Sequence, residues 1–139
     1  MEYLDPDTPH PVAAQLLGIP FCEGGRDYRA FVGGTDCLGL TLEFLHRIGI
    51  YASDPWEHER KRWLEGADRT AQDVMRDAWR PLSADESVQV GDVGEMNGGR
   101  HVCVYVGGEF VLHAAVRRDS FLMSTKQLEV SRWWRWSGC

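Results

Sequence analysis

Three residues in this sequence can do covalent chemistry together: Cys37, His101 and His113. A cysteine attacks as its thiolate, so it needs surroundings that favour the anion and a base to take the proton. Cys37 sits in Gly33-Gly34-Thr35-Asp36-Cys37-Leu38-Gly39-Leu40. Two glycines end a loop there, and an apolar run follows through Leu42, Phe44, Leu45 and Ile48 to Gly49. The pattern predicts a helix over about 36–48 with Cys37 in its first turn and Gly49 just past its end. The first turn of a helix carries unpaired N–H groups and the positive end of the macrodipole, and both favour a thiolate. The plain alternative for Cys37 is a small apolar residue packing a helix start.

The base must come from elsewhere in the chain. His101 and His113 fall on two runs that alternate with a period of two. In the first, His101, Cys103 and Tyr105 oppose Val102, Val104 and Val106; in the second, Val111, His113 and Ala115 oppose Phe110 and Leu112. The two histidines can cooperate only from one sheet face, which requires an even pairing sum between the strands. A strict two-residue turn at Gly107-Gly108 gives an odd sum and sends them to opposite faces. The expectation is therefore a three-residue or bulged connection, the former pairing His101 directly with His113. Without Cys37, the pair reads as two satisfied sheet histidines. His10, His46 and His58 read as ordinary, with His46 placed near a helix C-terminus where a cation is favoured.

The elements that position these residues follow in order. Pro11 opens a short helix through Leu17, closed by Gly18. Residues 19–35 form a glycine-rich loop delivering the chain to Cys37. A second helix starts at Ser53-Asp54-Pro55. A third starts near Thr70, includes Trp79 and ends at Pro81. Gly91–Met96 is a strand candidate, followed by a turn at Asn97-Gly98-Gly99, and Phe121–Thr125 is another strand. Ser124-Thr125-Lys126-Gln127 has capping-box spacing for one turn of helix. Trp133-Trp134-Arg135-Trp136 is too aromatic for a free tail and is expected to dock on the body. Helices first and strands second is the α+β pattern.

The whole chain bounds these readings. Its 139 residues are read as one domain, 1–139, with a net charge of −6 that argues against nucleic acid as the main partner. No apolar run approaches a membrane span. The acidic start, Met1-Glu2-Tyr3-Leu4-Asp5, does not read as a signal peptide, so cytoplasmic synthesis is expected. Cys22, Cys37, Cys103 and Cys139 show no CxxC pair and are expected to be free thiols.

Five motifs in order carry a resemblance: Gly24-Gly25, Asp36-Cys37-Leu38-Gly39-Leu40, Gly91-Asp92, His101-Val102-x-Val104-Tyr105-Val106-Gly107 and Leu112-His113-Ala114. Together they resemble the NlpC/P60 family of papain-like cysteine peptidases, which cut bacterial cell-wall peptides. Gly24-Gly25-Arg26-Asp27 and the Trp/Arg-rich end look most like phage or prophage tail members. The resemblance implies a papain-like fold with a helical N-terminal half packed on an antiparallel sheet. It implies Cys37 as nucleophile, His101 as base and then acid, and His113 as the group orienting His101. It puts Asp36, Phe21 and Gly25 on the substrate side, with Asp36 binding the free amine of the stem peptide. The implied reaction is hydrolysis at the D-glutamyl–diamino-acid bond, with no cofactor and no metal. The implied partners are peptidoglycan stem peptide and phage tail proteins, and the implied location is a virion tail.

The chain also departs from the family's pattern. Leu38 follows the nucleophile where a small or aromatic residue is common, Phe21 stands where Tyr is frequent, and Cys103 where Gly is frequent. Two alternatives stand beside the peptidase: an inactive structural module in tail assembly, and a site where Cys37, His101, His113 and Cys103 or Cys22 meet around Zn²⁺. A lecithin:retinol acyltransferase-like relative is disfavoured by its His-before-Cys order. A CHAP amidase is disfavoured because its third member is usually a carboxylate or amide.

Overall fold

The computed structural model of the protein describes residues 8–20, 36–52, 79–96, 101–115 and 118–137. Two helices fall among them. The first, α1 (Pro11–Gln15), begins with Pro11, whose missing N–H costs nothing at that position. Its cap is the His10 ring, where Nδ1 accepts from Val12 N at 3.1 Å. The helix is shorter than expected, and turn residues carry the chain to Gly18 at φ +77°. The second, α2 (Cys37–Arg47), matches its expected bounds to within a residue. Asp36 caps it, with Oδ1 accepting from Gly39 N at 2.7 Å. Gly49 follows at φ +93°.

Six strands form one antiparallel sheet: β1 (Trp79–Pro81), β2 (Val93–Met96), β3 (His101–Gly107), β4 (Phe110–Ala115), β5 (Arg118–Ser124) and β6 (Arg132–Trp136). Their spatial order is β1-β6-β2-β3-β4-β5. The Trp-rich end therefore does more than dock. It is inserted as β6, pairing Trp134 with Pro81 on one side and with Val93 on the other. Arg135 locks it down, donating from Nε to Asp92 Oδ1 at 2.9 Å and from Nη2 to Asp92 Oδ2 at 2.8 Å. Arg80 grips Glu86 through two further bonds, at 2.5 and 2.8 Å. Chiefly that contact, helped by Ser83 N, holds the Glu86 carboxyl down to about 2.

α2 lies on β3 and β4. Its Leu38, Leu40, Leu42, Phe44 and Leu45 are buried with Val102, Val104, Val106, Leu112 and Ala114. α1 adds Ala13 and Leu16 to the same core. The reverse face of the sheet carries a smaller cluster of Met96, Cys103 and Val111, flanked by Tyr105, Met123, Leu128, Val130 and Trp133. Gly94 lies opposite Cys103 there, and an added Cβ would come within 3.0 Å of Cys103 Sγ, Trp133 and Val130.

Several expectations change. Trp79 belongs to β1, not to a third helix, because its partner Trp136 lies 57 positions away in sequence; ring centroids are 5.3 Å apart. Pro81 is tolerated there since β1 is an edge strand. The β3–β4 connection is bulged, as one of the two expected forms, but its loop is two residues long. Gly107 pairs with Phe110, leaving Gly108 and Glu109 as loop at φ 63° and 67°. Both positive values suit a type I′ turn. The bulge between Tyr105 and Gly107 then restores an even register, with Val104 opposite Leu112. Continued from that pair, His113 faces Cys103, so His101 and His113 are diagonal neighbours rather than directly paired. β5 starts at Arg118, ahead of the expected Phe121, and Ser124 caps a 3₁₀ turn at Thr125–Gln127 by accepting from Lys126 N at 3.2 Å. The helices expected from Ser53 and Thr70, the turn at Asn97-Gly98-Gly99 and the loop over 21–35 lie outside the described residues. The helical half is accordingly described through α1 and α2.

Candidate active site

The direction of α2 brings Cys37 to one end of β3. At its far end, Phe44 meets the His10 ring (centroids 5.9 Å apart), and His10 N donates to Val106 O at 2.6 Å. An added Cβ on Gly91, in the turn before β2, would touch the side chains of Ile50, Ile48 and Leu45. The C-terminal end of α2 thus lies where β3 ends. Its first turn lies toward the opposite end of the strand, where β3 begins with His101; the His101 side chain alternates onto the other face of the sheet, with Cys103. Cys37 is half-buried, and its backbone carbonyl accepts from Thr41 Oγ1 at 2.9 Å.

His101 and His113 share a sheet face, as the register requires. His101 Nε2 lies 3.0 Å from His113 Nδ1, a hydrogen-bond distance, with the rings steeply inclined at 68°. One nitrogen donates and the other accepts, so the contact couples the two tautomers. If His101 Nε2 donates, His101 Nδ1 is left as a free-standing base. His113 is buried, while His101 is partly exposed. Burial alone pushes the His101 imidazole below its ordinary 6.5, so the ring is neutral at pH 7 and able to accept a proton.

Asp36 is present at the site's edge, where its carboxylate holds the first turn of α2. Phe21 and Gly25 lie outside the described residues, as do Cys22 and Cys139. Cys103 shares the face of His101, as its position predicts, but it is fully buried in the second cluster. Burial pushes its thiol up to about 12, with Cys37 raising it slightly and a Gly94 backbone hydrogen bond opposing. It is therefore a packed thiol and not a second nucleophile. Among the described residues, no group of three or more His, Cys, Asp or Glu gathers to hold a metal ion.

Three contributors escape the sequence reading. Phe121 packs its ring against His113 at a tilt, Arg135 bonds Asp92, and His10 caps α1. The sequence carried no signal for the first, whose pairing with His113 is a matter of register. For His10, the signal was its place directly before Pro11.

No family model matches the sequence, and no curated protein matches it. Solved structures do. The NlpC/p60 domain of the peptidoglycan hydrolase SagA superposes with a TM-score of 0.51 at 20% identity, over 87% of this chain and 90% of that one. NlpC1 from Trichomonas vaginalis gives 0.57 at 18%, over 88% of this chain and 42% of that one. A protein similar to lipoproteins of the NLP/P60 family, from Staphylococcus aureus subsp. aureus Mu50, gives 0.53 at 23%, over 88% and 38%. The chain spans less than half the length of the last two. At these identities the common property is the fold: this chain has an NlpC/P60-like fold.

Proposed function

We propose that this protein is a cysteine peptidase of the NlpC/P60 type that hydrolyses an amide bond in bacterial peptidoglycan stem peptides. The observation that carries the reading is the 3.0 Å contact of His101 Nε2 with His113 Nδ1, across the two strands whose other face packs the Cys37 helix. An NlpC/P60-like fold supports it, and SagA, one of the structural neighbours, is itself a peptidoglycan hydrolase.

The proposed chemistry follows from the residues. His101 Nε2–H donates to His113 Nδ1, which leaves His101 Nδ1 to take the thiol proton of Cys37. The thiolate attacks the scissile carbonyl, and the backbone N–H of Cys37 at the positive end of α2 stabilises the oxyanion. His101 returns its proton to the leaving nitrogen as the C–N bond breaks, giving an acyl-enzyme and a free amine. Water then attacks the thioester carbonyl, His101 accepts the water proton, and the thiol is regenerated with release of the acid. The D-glutamyl–diamino-acid bond is the proposed target, with Asp36, Phe21 and Gly25 on the substrate side. The proposed setting, a phage or prophage tail, is carried by the sequence resemblance alone.

The test is cleavage of L-Ala-γ-D-Glu-diaminopimelate-D-Ala by wild type and Cys37→Ala, with fragments identified by mass. Cleavage by wild type alone is expected. No cleavage by folded wild type would favour the structural-module reading.

A further inference from the structure

The proposed site contains an aromatic residue that no motif assigns. Phe121 on β5 is the direct cross-strand partner of His113 on β4. Their ring centroids are 4.2 Å apart and the planes are inclined by 51°. On its other side, His113 faces His101 at a centroid distance of 5.3 Å. Three rings from three adjacent strands thus form a row, His101–His113–Phe121, with His113 buried between the other two.

A histidine that selects its neighbour's tautomer must itself be held. Rotation of the His113 ring by half a turn about χ2 replaces Nδ1 with a carbon and removes the acceptor for His101 Nε2–H. The torsion to an aromatic ring is broad, so the backbone alone does not hold it. A packed ring at 4.2 Å hinders the turn and confines the tilt of the His113 ring, and so keeps Nδ1 aimed at His101 Nε2. An inclined geometry is also a favourable one for two π-systems.

We infer that Phe121 is a positioning residue of the proposed peptidase: it holds the His113 ring in the orientation that fixes the tautomer of His101. The inference rests on the peptidase reading for its kinetic consequence, but its structural content can be measured without any substrate.

The experiment therefore has two arms, on wild type, Phe121→Ala and Phe121→Tyr, with thermal unfolding recorded for each. In the first arm, ¹⁵N-detected NMR of the imidazoles reports which nitrogen of His101 and of His113 carries the proton. Wild type and Phe121→Tyr should each show single tautomers, and Phe121→Ala a mixture at both rings. In the second arm, stem-peptide hydrolysis by Phe121→Ala should fall about tenfold or more in kcat with little change in KM, as for loss of an outer-shell partner. Phe121→Tyr, which keeps a ring in place, should recover most of the rate. Wild-type tautomers in folded Phe121→Ala would overturn the inference, as would a rate loss no larger than its unfolded fraction. If wild type cleaves nothing, the peptidase reading fails, and the NMR arm decides the positioning role by itself.

Discussion

His101 is kept neutral by burial, and this makes the protein sensitive to mild acid. Its folded value lies below the ordinary 6.5. Between those two values the unfolded chain binds more protons than the folded one, so stability rises with pH across that interval, and the full penalty applies below it. Urea unfolding from pH 5 to 7.5 should show this rise, and His101→Gln should flatten it; an equal slope in both proteins would contradict the assignment. Cys103 gives a second residue-level prediction. Its buried thiol, pushed up to about 12, should remain unlabelled when the folded protein is treated with excess iodoacetamide and mapped by mass, while Cys37 is labelled. At this scale the sequence was informative where residue type dictates chemistry. Cys37, His101 and His113 could be singled out from type, spacing and alternation. Phe121 could not, because an aromatic residue on a strand is ordinary until its cross-strand partner is known.

At the scale of elements, the hairpin carries the most weight. Face-sharing of the two histidines was deducible from parity, and the bulge at Val106 is the device that achieves it. The exact register was not deducible, because a two-residue loop with a bulge and a three-residue loop give the same parity but shift the pairing by two. The limits of α2 were legible because Asp36 and Gly49 are strong end signals. β1 was not, because a three-residue strand has no periodicity and its partner is far along the chain. Gly94 tests the packing of the sheet's reverse face. Gly94→Val forces contacts at 3.0 Å with Cys103, Trp133 and Val130 in a closed cluster, and should cost about 2–3 kcal/mol in denaturant unfolding. Arg135→Met leaves the buried Asp92 carboxylate with its bond from Gln89 N but without its cation, and should cost about 2–3 kcal/mol. A cost near zero would mean that β6 is held by its tryptophans alone.

Over the whole molecule, the chain closes on itself through β6. The last described strand lies between β1 and β2 and contributes Trp134 to the main core. Deleting residues from 132 onward should therefore abolish cooperative unfolding, as judged by circular dichroism, rather than trim a tail. The α+β order was legible from helical patterns preceding alternating ones. The insertion of β6 was not, because it is a long-range pairing that local pattern does not encode. The helix that begins with Cys37 packs on one face of the strand that begins with His101, and the proposed triad requires the two residues to meet around that end of the sheet. The measurement that tests it most directly is the rate of iodoacetamide alkylation of Cys37 at pH 6.5–7.5, in wild type and in folded His101→Gln. Alkylation faster than that of an ordinary thiol is expected in wild type, with a fall to the ordinary rate in the variant. Equal rates in the two proteins would contradict the proposed triad, since Cys37 would then owe nothing to His101.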